Sequence, residues 1–265
     1  MAMHGVIQLV LAAGSLPGKS NDIERRLLNL MSPEVLVLGL LQYLVFLFST
    51  SCHEASHALA AKLGGDLTAF QGGQVSLNPL PHVRREPFGM VIVPLLALVM
   101  GGYMIGWASA PYDPAWQQRY PRRAAWMSLA GPGANFALVL IAAILIHAGI
   151  LAGVFQAPQH LTSFHVVDAA ASGPFEALAT LVSILFALNL ILGVFNLLPI
   201  PPLDGFSALG IFMTESAAIR FERWGTEMRA YWFLGLLVGW QLFGRVYEPI
   251  FWAGIQLLYP GTTYR

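Results

Sequence analysis

The sequence predicts an all-α polytopic membrane protein. The expected form is a helical bundle of about four to six membrane segments, including one re-entrant segment and a small β-hairpin. Three observations carry this. The 265-residue chain is 56% hydrophobic and only 11% charged, where a soluble domain carries about 25% charged residues. Several charge-free runs are long enough to cross a bilayer. Lysines and arginines crowd into some connecting segments and are missing from others.

The first run starts at Val35, just after Pro33, a residue tolerated at a helix start, and ends at Gly64-Gly65. The second, 88–110, is broken by Pro94 and Gly101-Gly102. The third begins at Ala124 after "RYPRR" and continues to about residue 154. The fourth covers 177–203, and the fifth, 230–258, is interrupted by Arg245 and Glu248, so it reads as one long helix or two short ones. Between the first two runs, "GGDLTAFQGGQVSLNPLPHVRREP" is rich in Gly, Asn and Pro and alternates in "QVSL", which predicts a small hairpin. The apolar stretch in the opening "MAMHGVIQLVLAAGS" is short and lacks the preceding basic residues of a signal peptide, so it reads as an interfacial segment or a retained N-terminal arm, 1–34.

The formal net charge is zero, so no basic or acidic bias points to nucleic acid. The one cysteine, Cys52, excludes an internal disulfide and a multi-cysteine zinc site, and reads as a small buried apolar residue.

Lys62, Arg84, Arg85, Arg119, Arg122 and Arg123 put 62–87 and 111–123 on the cytoplasmic side, as Arg220, Arg223 and Arg229 do for 205–229. The loop 155–176 has no Lys or Arg and belongs outside. Both flanks of 88–110 then lie inside, so that run should dip in and return. Lys19, Arg25 and Arg26 in the arm count against this topology.

The chemistry concentrates in "STSCHEASHALAAKLGG" (49–65). H-E-x-x-H on a helix turns His53 and His57 to one face, one turn apart, where both imidazoles can meet one Zn²⁺. Glu54 is offset by about 100° and sits beside the metal, where it can take a proton from the attacking water as general base. An unpaired charge in the membrane costs at least about 2.5–3.5 kcal/mol, so a chance cluster there is disfavoured. A catalytic zinc needs a third ligand. Of the downstream acids, Asp204 stands apart, because "FNLLPIPPLDGFSALGIFM" (195–213) surrounds it with apolar residues. Three prolines there prevent a regular helix, and Gly205 allows close approach. The competing reading of Asp204 is a turn carboxylate just outside the membrane. One outward crossing between the first and fourth runs brings His53, His57 and Asp204 to similar depth, whereas a full crossing by 88–110 would separate them.

"HEASH" (53–57), "GPGANF" (131–136) and "NLLPIPPLDG" (196–205), in that order, resemble the site-2 protease family of intramembrane zinc metalloproteases, and "LNPLPH" (77–82) resembles the hairpin region of its compact bacterial members. The resemblance implies peptide-bond hydrolysis in or beside the membrane, zinc on His53, His57 and Asp204, and Glu54 as general base. It also implies that Asn135 lines the active site as a donor to substrate or transition state. Packing by small residues is the alternative for the "GPGAN" segment, and is favoured for Gly131 and Gly133. Substrates would be membrane proteins, with the hairpin 66–82 holding one as an added strand. The setting would be the lipid bilayer of a bacterial inner membrane, the site facing the cytoplasm. No inserted soluble domain is visible, so no PDZ-type filter is expected. The chain divides into the arm 1–34, a catalytic membrane core 35–213 and C-terminal membrane segments 214–265. The rival class is a metal transporter or metal-binding membrane protein, since intramembrane histidines and acids also mark ion paths. Their concentration at one depth favours the protease.

Overall fold

The computed structural model describes residues 33–101, 104–262 and 264; the N-terminal arm expected at 1–34 lies almost wholly outside them. Among the described residues three helices are long and apolar enough to span a membrane. They are α1 (Pro33–Gly64), α6 (Pro121–Leu151) and α7 (Pro174–Asn196). Short helices fill the connections: α2 (Thr68–Gln71), α3 (Pro79–Arg85), α4 (Val93–Gly101) and α5 (Pro114–Arg119). After α7 come α8 (Asp204–Ala208), α9 (Glu215–Glu227) and α10 (Trp232–Leu258). The fifth run is thus one helix, with Pro249 inside it. The chain is an all-α integral membrane protein.

The packing follows from which faces are apolar. α7 is the most enclosed of the three spans, and apolar residues all round it meet neighbours on every side. Ile184 and Leu188 of α7 pack against Val45 and Phe46 of α1. Val182, Phe186 and Leu190 pack against Ala142 and Ile146 of α6 and Phe251 and Ile255 of α10. Leucines such as Leu36, Leu40, Leu140 and Leu145 stay exposed on α1 and α6, as lipid-facing residues do.

The run 88–110 turns back. A π-helical turn over Phe88–Ile92 leads into α4, and the chain then returns so that Trp107 N–H donates to the Gly89 carbonyl at 3.1 Å. Arg85 Nε donates to the Ser109 carbonyl at 3.0 Å, and the Ser109 hydroxyl donates to Glu86 Oε1. The ends of the run therefore lie side by side. A Cβ on Gly89 would sit 2.2 Å from the Trp107 carbonyl, so only glycine permits this approach. Pro94 has no N–H for the Met90 carbonyl four residues earlier, and the Tyr43 hydroxyl donates to that carbonyl instead, at 3.1 Å.

The hairpin expected at 66–82 is not there. That segment folds as α2 and α3, because Asn78 accepts from Leu80 N–H at 2.9 Å and Pro79 opens the helix. The His82 ring donates to the Ser76 carbonyl at 2.9 Å and closes the turn between them. The antiparallel pair lies between α6 and α7, as β1 (Phe155–Gln156) and β2 (Asp168–Ala169). Strand addition of a substrate at 66–82 has no strand edge to use.

The basic residues gather where α1 ends. The Gly64 carbonyl accepts from Arg123 Nη1 and Trp116 Nε1, both at 3.0 Å, at the negative end of the α1 dipole. Arg122 Nη2 reaches the Met213 carbonyl at 3.4 Å, so the end of α1, the start of α6 and the segment after α8 share one end of the bundle. Asp66 fixes the same corner: Oδ1 accepts from Thr68 N–H and Oγ1, and Oδ2 accepts from Asp113 N–H at 2.8 Å.

Candidate metal centre

His53 and His57 occupy successive turns of α1, both buried, with Nε2 atoms 2.9 Å apart. Asp204 opens α8, eight residues beyond the end of α7. Its Oδ2 lies 3.1 Å from His53 Nε2 and 3.3 Å from His57 Nε2. Among the described residues this trio forms a group of metal-ligating atoms close enough to hold one ion. Residues 151 apart in sequence meet because α1 and α7 run parallel, with α6 returning between them.

The route to Asp204 is short and tight. Leu203 N–H donates to the Ile200 carbonyl at 2.9 Å, folding the proline-rich segment on itself. A Cβ on Gly205 would sit 2.2 Å from the Leu197 carbonyl, and one on Gly235 of α10 would sit 2.3 Å from the Pro201 carbonyl. Glycine at both places lets the loop close and lets α10 press on it.

The opposite ring nitrogens are already engaged. His57 Nδ1 lies 2.7 Å from the Met127 carbonyl of α6 and His53 Nδ1 lies 2.6 Å from Asn135 Oδ1. A carbonyl oxygen can only accept, so each Nδ1 carries the hydrogen and each Nε2 turns its lone pair inward. Two lone pairs and a carboxylate oxygen thus converge within 2.9–3.3 Å. Such a cluster holds together only around positive charge. Four-coordinate zinc with bonds of about 2.0–2.1 Å separates its ligand atoms by about 3.3 Å, so the trio fits after opening by a few tenths of an ångström.

Glu54 lies beside the pair, 5% exposed. Its carboxylate makes no hydrogen bond among the described residues, which leaves it free to accept a proton. The side chain of Asp204, at 21% exposed against 8% for His53 and 10% for His57, marks the side from which the site is reached. Gly131 packs directly on both imidazoles, while Gly133 has open space where its Cβ would be, so the packing expected of the two holds for the first alone.

Other expected groups lie elsewhere. Cys52 is a buried free thiol. His165 pairs with Asp168 at 2.7 Å in the loop between α6 and α7. Two residues of the site's surroundings, Ser49 and Asn189, gave no signal in the sequence beyond being polar in apolar runs. Asn189 Nδ2 donates to Ser49 Oγ, and Asn135 Nδ2 donates to Asn189 Oδ1, each at 2.8 Å.

The sequence model of peptidase family M50 matches residues 42–238, which include every member of this centre. The chain belongs to peptidase family M50. Among relatives in the family, YwhC of Bacillus subtilis (strain 168) is 31% identical over 204 residues, covering 76% of this chain and 81% of YwhC. Rip2 of Mycolicibacterium smegmatis is 28% identical over 264 residues, covering 95% and 90%. Rip2 of Mycobacterium tuberculosis (strain Erdman) is 32% identical over 223 residues, covering 80% and 73%. All three carry zinc-metalloprotease names. No solved structure gives a significant match.

Proposed function

We propose that this chain is an intramembrane zinc metalloprotease that hydrolyses peptide bonds in or near the transmembrane segments of membrane proteins. One observation carries the reading. Two imidazoles with their outer nitrogens already committed turn their lone pairs toward one carboxylate, inside a bundle of membrane helices. His53, His57 and Asp204 would hold zinc, leaving a fourth position for water or substrate. Zinc bound there supplies a Lewis acid for the scissile carbonyl and makes water acidic enough to deprotonate near neutral pH.

The chain's own residues then divide the remaining work. Glu54 takes the proton of the attacking water on its carboxylate and returns it to the leaving amine. The apolar walls of α1, α6 and α7 exclude bulk water, which strengthens each charge interaction at the centre. Lys62, Arg122 and Arg123 around the end of α1 support a cytoplasmic orientation for this end of the bundle, in a bacterial inner membrane.

The test is purified protein in detergent or liposomes with transmembrane peptide substrates, and fragment analysis of the host membrane proteome. Glu54→Gln should retain one zinc per chain and lose cleavage by about 10²–10⁴-fold. Full cleavage by that variant would reject Glu54 as the base. Zinc uptake into liposomes with no cleavage by either form would reject the protease.

A further inference from the structure

Asn135 and Asn189 are both wholly buried in helices that cross the membrane. A buried amide must find partners for its oxygen and its nitrogen, and those partners decide which way it faces. For Asn189 the decision is made by the main chain. Its Nδ2 lies 2.8 Å from the Leu185 carbonyl of the same helix and 2.8 Å from Ser49 Oγ. A carbonyl only accepts, so the nitrogen of the amide must face Leu185, and both its hydrogens are used. Asn189 Oδ1 is then left facing Asn135 Nδ2, at 2.8 Å. That contact turns Asn135 Oδ1 toward His53 Nδ1, at 2.6 Å. The hydrogen must sit on Nδ1 there, and Nε2 presents its lone pair to His57 and Asp204.

We infer that Asn189 is a positioning residue: held by the Leu185 carbonyl, it orients Asn135 and so fixes the tautomer of His53 before any metal arrives. The inference rests on the reading of His53 as a zinc ligand. It gives the two histidines matching devices. His57 takes its tautomer directly from a main-chain carbonyl, Met127. His53 takes it from another, Leu185, through two amides. Neither setting depends on zinc. Asn135 acts through His53 here, with its oxygen behind the ring.

Zinc affinity, measured by chelator competition on the full-length chain in the Glu54→Gln background, tests this without reference to activity. Asn189→Leu frees the Asn135 amide to rotate, and affinity should fall about 10–100-fold. Ser49→Ala should bind zinc nearly as wild type, because the Leu185 carbonyl still orients Asn189. The decisive arm is Asn135→Asp combined with Asn189→Leu. A carboxylate can only accept from His53 Nδ1, so the double variant should recover most of the lost affinity. A role in packing alone predicts no such rescue, and its absence overturns the inference, as does wild-type affinity in Asn189→Leu. Should Asn189→Leu fail to fold, ¹⁵N-histidine NMR of zinc-stripped wild type decides. The neutral His53 ring should carry its hydrogen on Nδ1. A signal with the hydrogen on Nε2 overturns the inference. His53→Ala, measured alongside, must lose zinc; retention there defeats the ligand reading itself.

Discussion

Gly131 lies so close to His57 that a Cβ added to it would sit 2.3 Å from Nε2, and only 2.5 Å from Nε2 of His53. The glycine of α6 is the floor beneath the two Nε2 atoms. An added methyl must displace one or both rings. Helix propensity pulls the other way, since Ala is better than Gly in a helix interior by about 1 kcal/mol. Gly131→Ala should therefore leave the helix intact by circular dichroism while lowering zinc content and cutting cleavage by more than about 100-fold. Wild-type zinc content and rate in that variant would show that the centre has room that the geometry denies.

Removal of zinc by a chelator should abolish cleavage and should also loosen the Asp204 loop, because an ion held by His53, His57 and Asp204 would link α1 to the segment after α7. Thermal unfolding in detergent should shift to lower temperature on stripping and recover on adding zinc. Magnesium should not restore either property, since two imidazoles suit zinc and not a hard oxygen-seeking ion.

The re-entrant run offers a separate test. Tyr43→Phe removes the donor that meets the Met90 carbonyl left without a partner by Pro94. An unsatisfied buried carbonyl costs about 1–3 kcal/mol. The variant should be less stable by that order, and hydrogen exchange around 88–95 should speed up more than in α7. Unchanged exchange there would show that another group satisfies Met90.

The corner built on Asp66 sets an acid sensitivity. Burial raises its carboxyl, but the hydroxyl of Thr68 and the amides of Asp113 and Thr68 outweigh it and hold it below the ordinary value. The folded value is then lower than the unfolded one. Its contribution is complete above the unfolded pKa, about 3.9, and disappears as pH falls through the folded value. Asp66→Ala should be less stable than wild type at pH 7 by about 1–3 kcal/mol. The gap should narrow as pH drops below about 4. A gap that stays constant down to pH 2 would show that the carboxylate's charge is irrelevant.

Much of this was legible in the residues. H-E-x-x-H needs only helical periodicity to converge, and Asp204 was marked by an acid surrounded by prolines and apolar residues. The turn back in 88–110 followed from Arg84, Arg85 and Arg119 flanking a run with Pro94 at its centre. The helices that stand in place of a hairpin at 66–82 have a local cause. "QVSL" alternates over too few residues to outweigh Asn78-Pro79, which begins a helix. The true strands are two residues each, held by packing of the loop between α6 and α7, and no alternation announces them. Asn189 and Ser49 were invisible for a different reason. They are 140 residues apart, and only the packing of α7 on α1 makes their polarity meaningful.

His57 is seven residues from the end of α1 at Gly64, about 10 Å along the axis. A substrate helix lying alongside and cut level with that imidazole would be severed about two turns from its terminus. The shorter product would keep too few apolar residues to stay anchored in a hydrocarbon layer of about 30 Å. Whatever domain it carries would drift free at once, while the longer stump stays behind in the lipid. Release of a signal would then require no second cut.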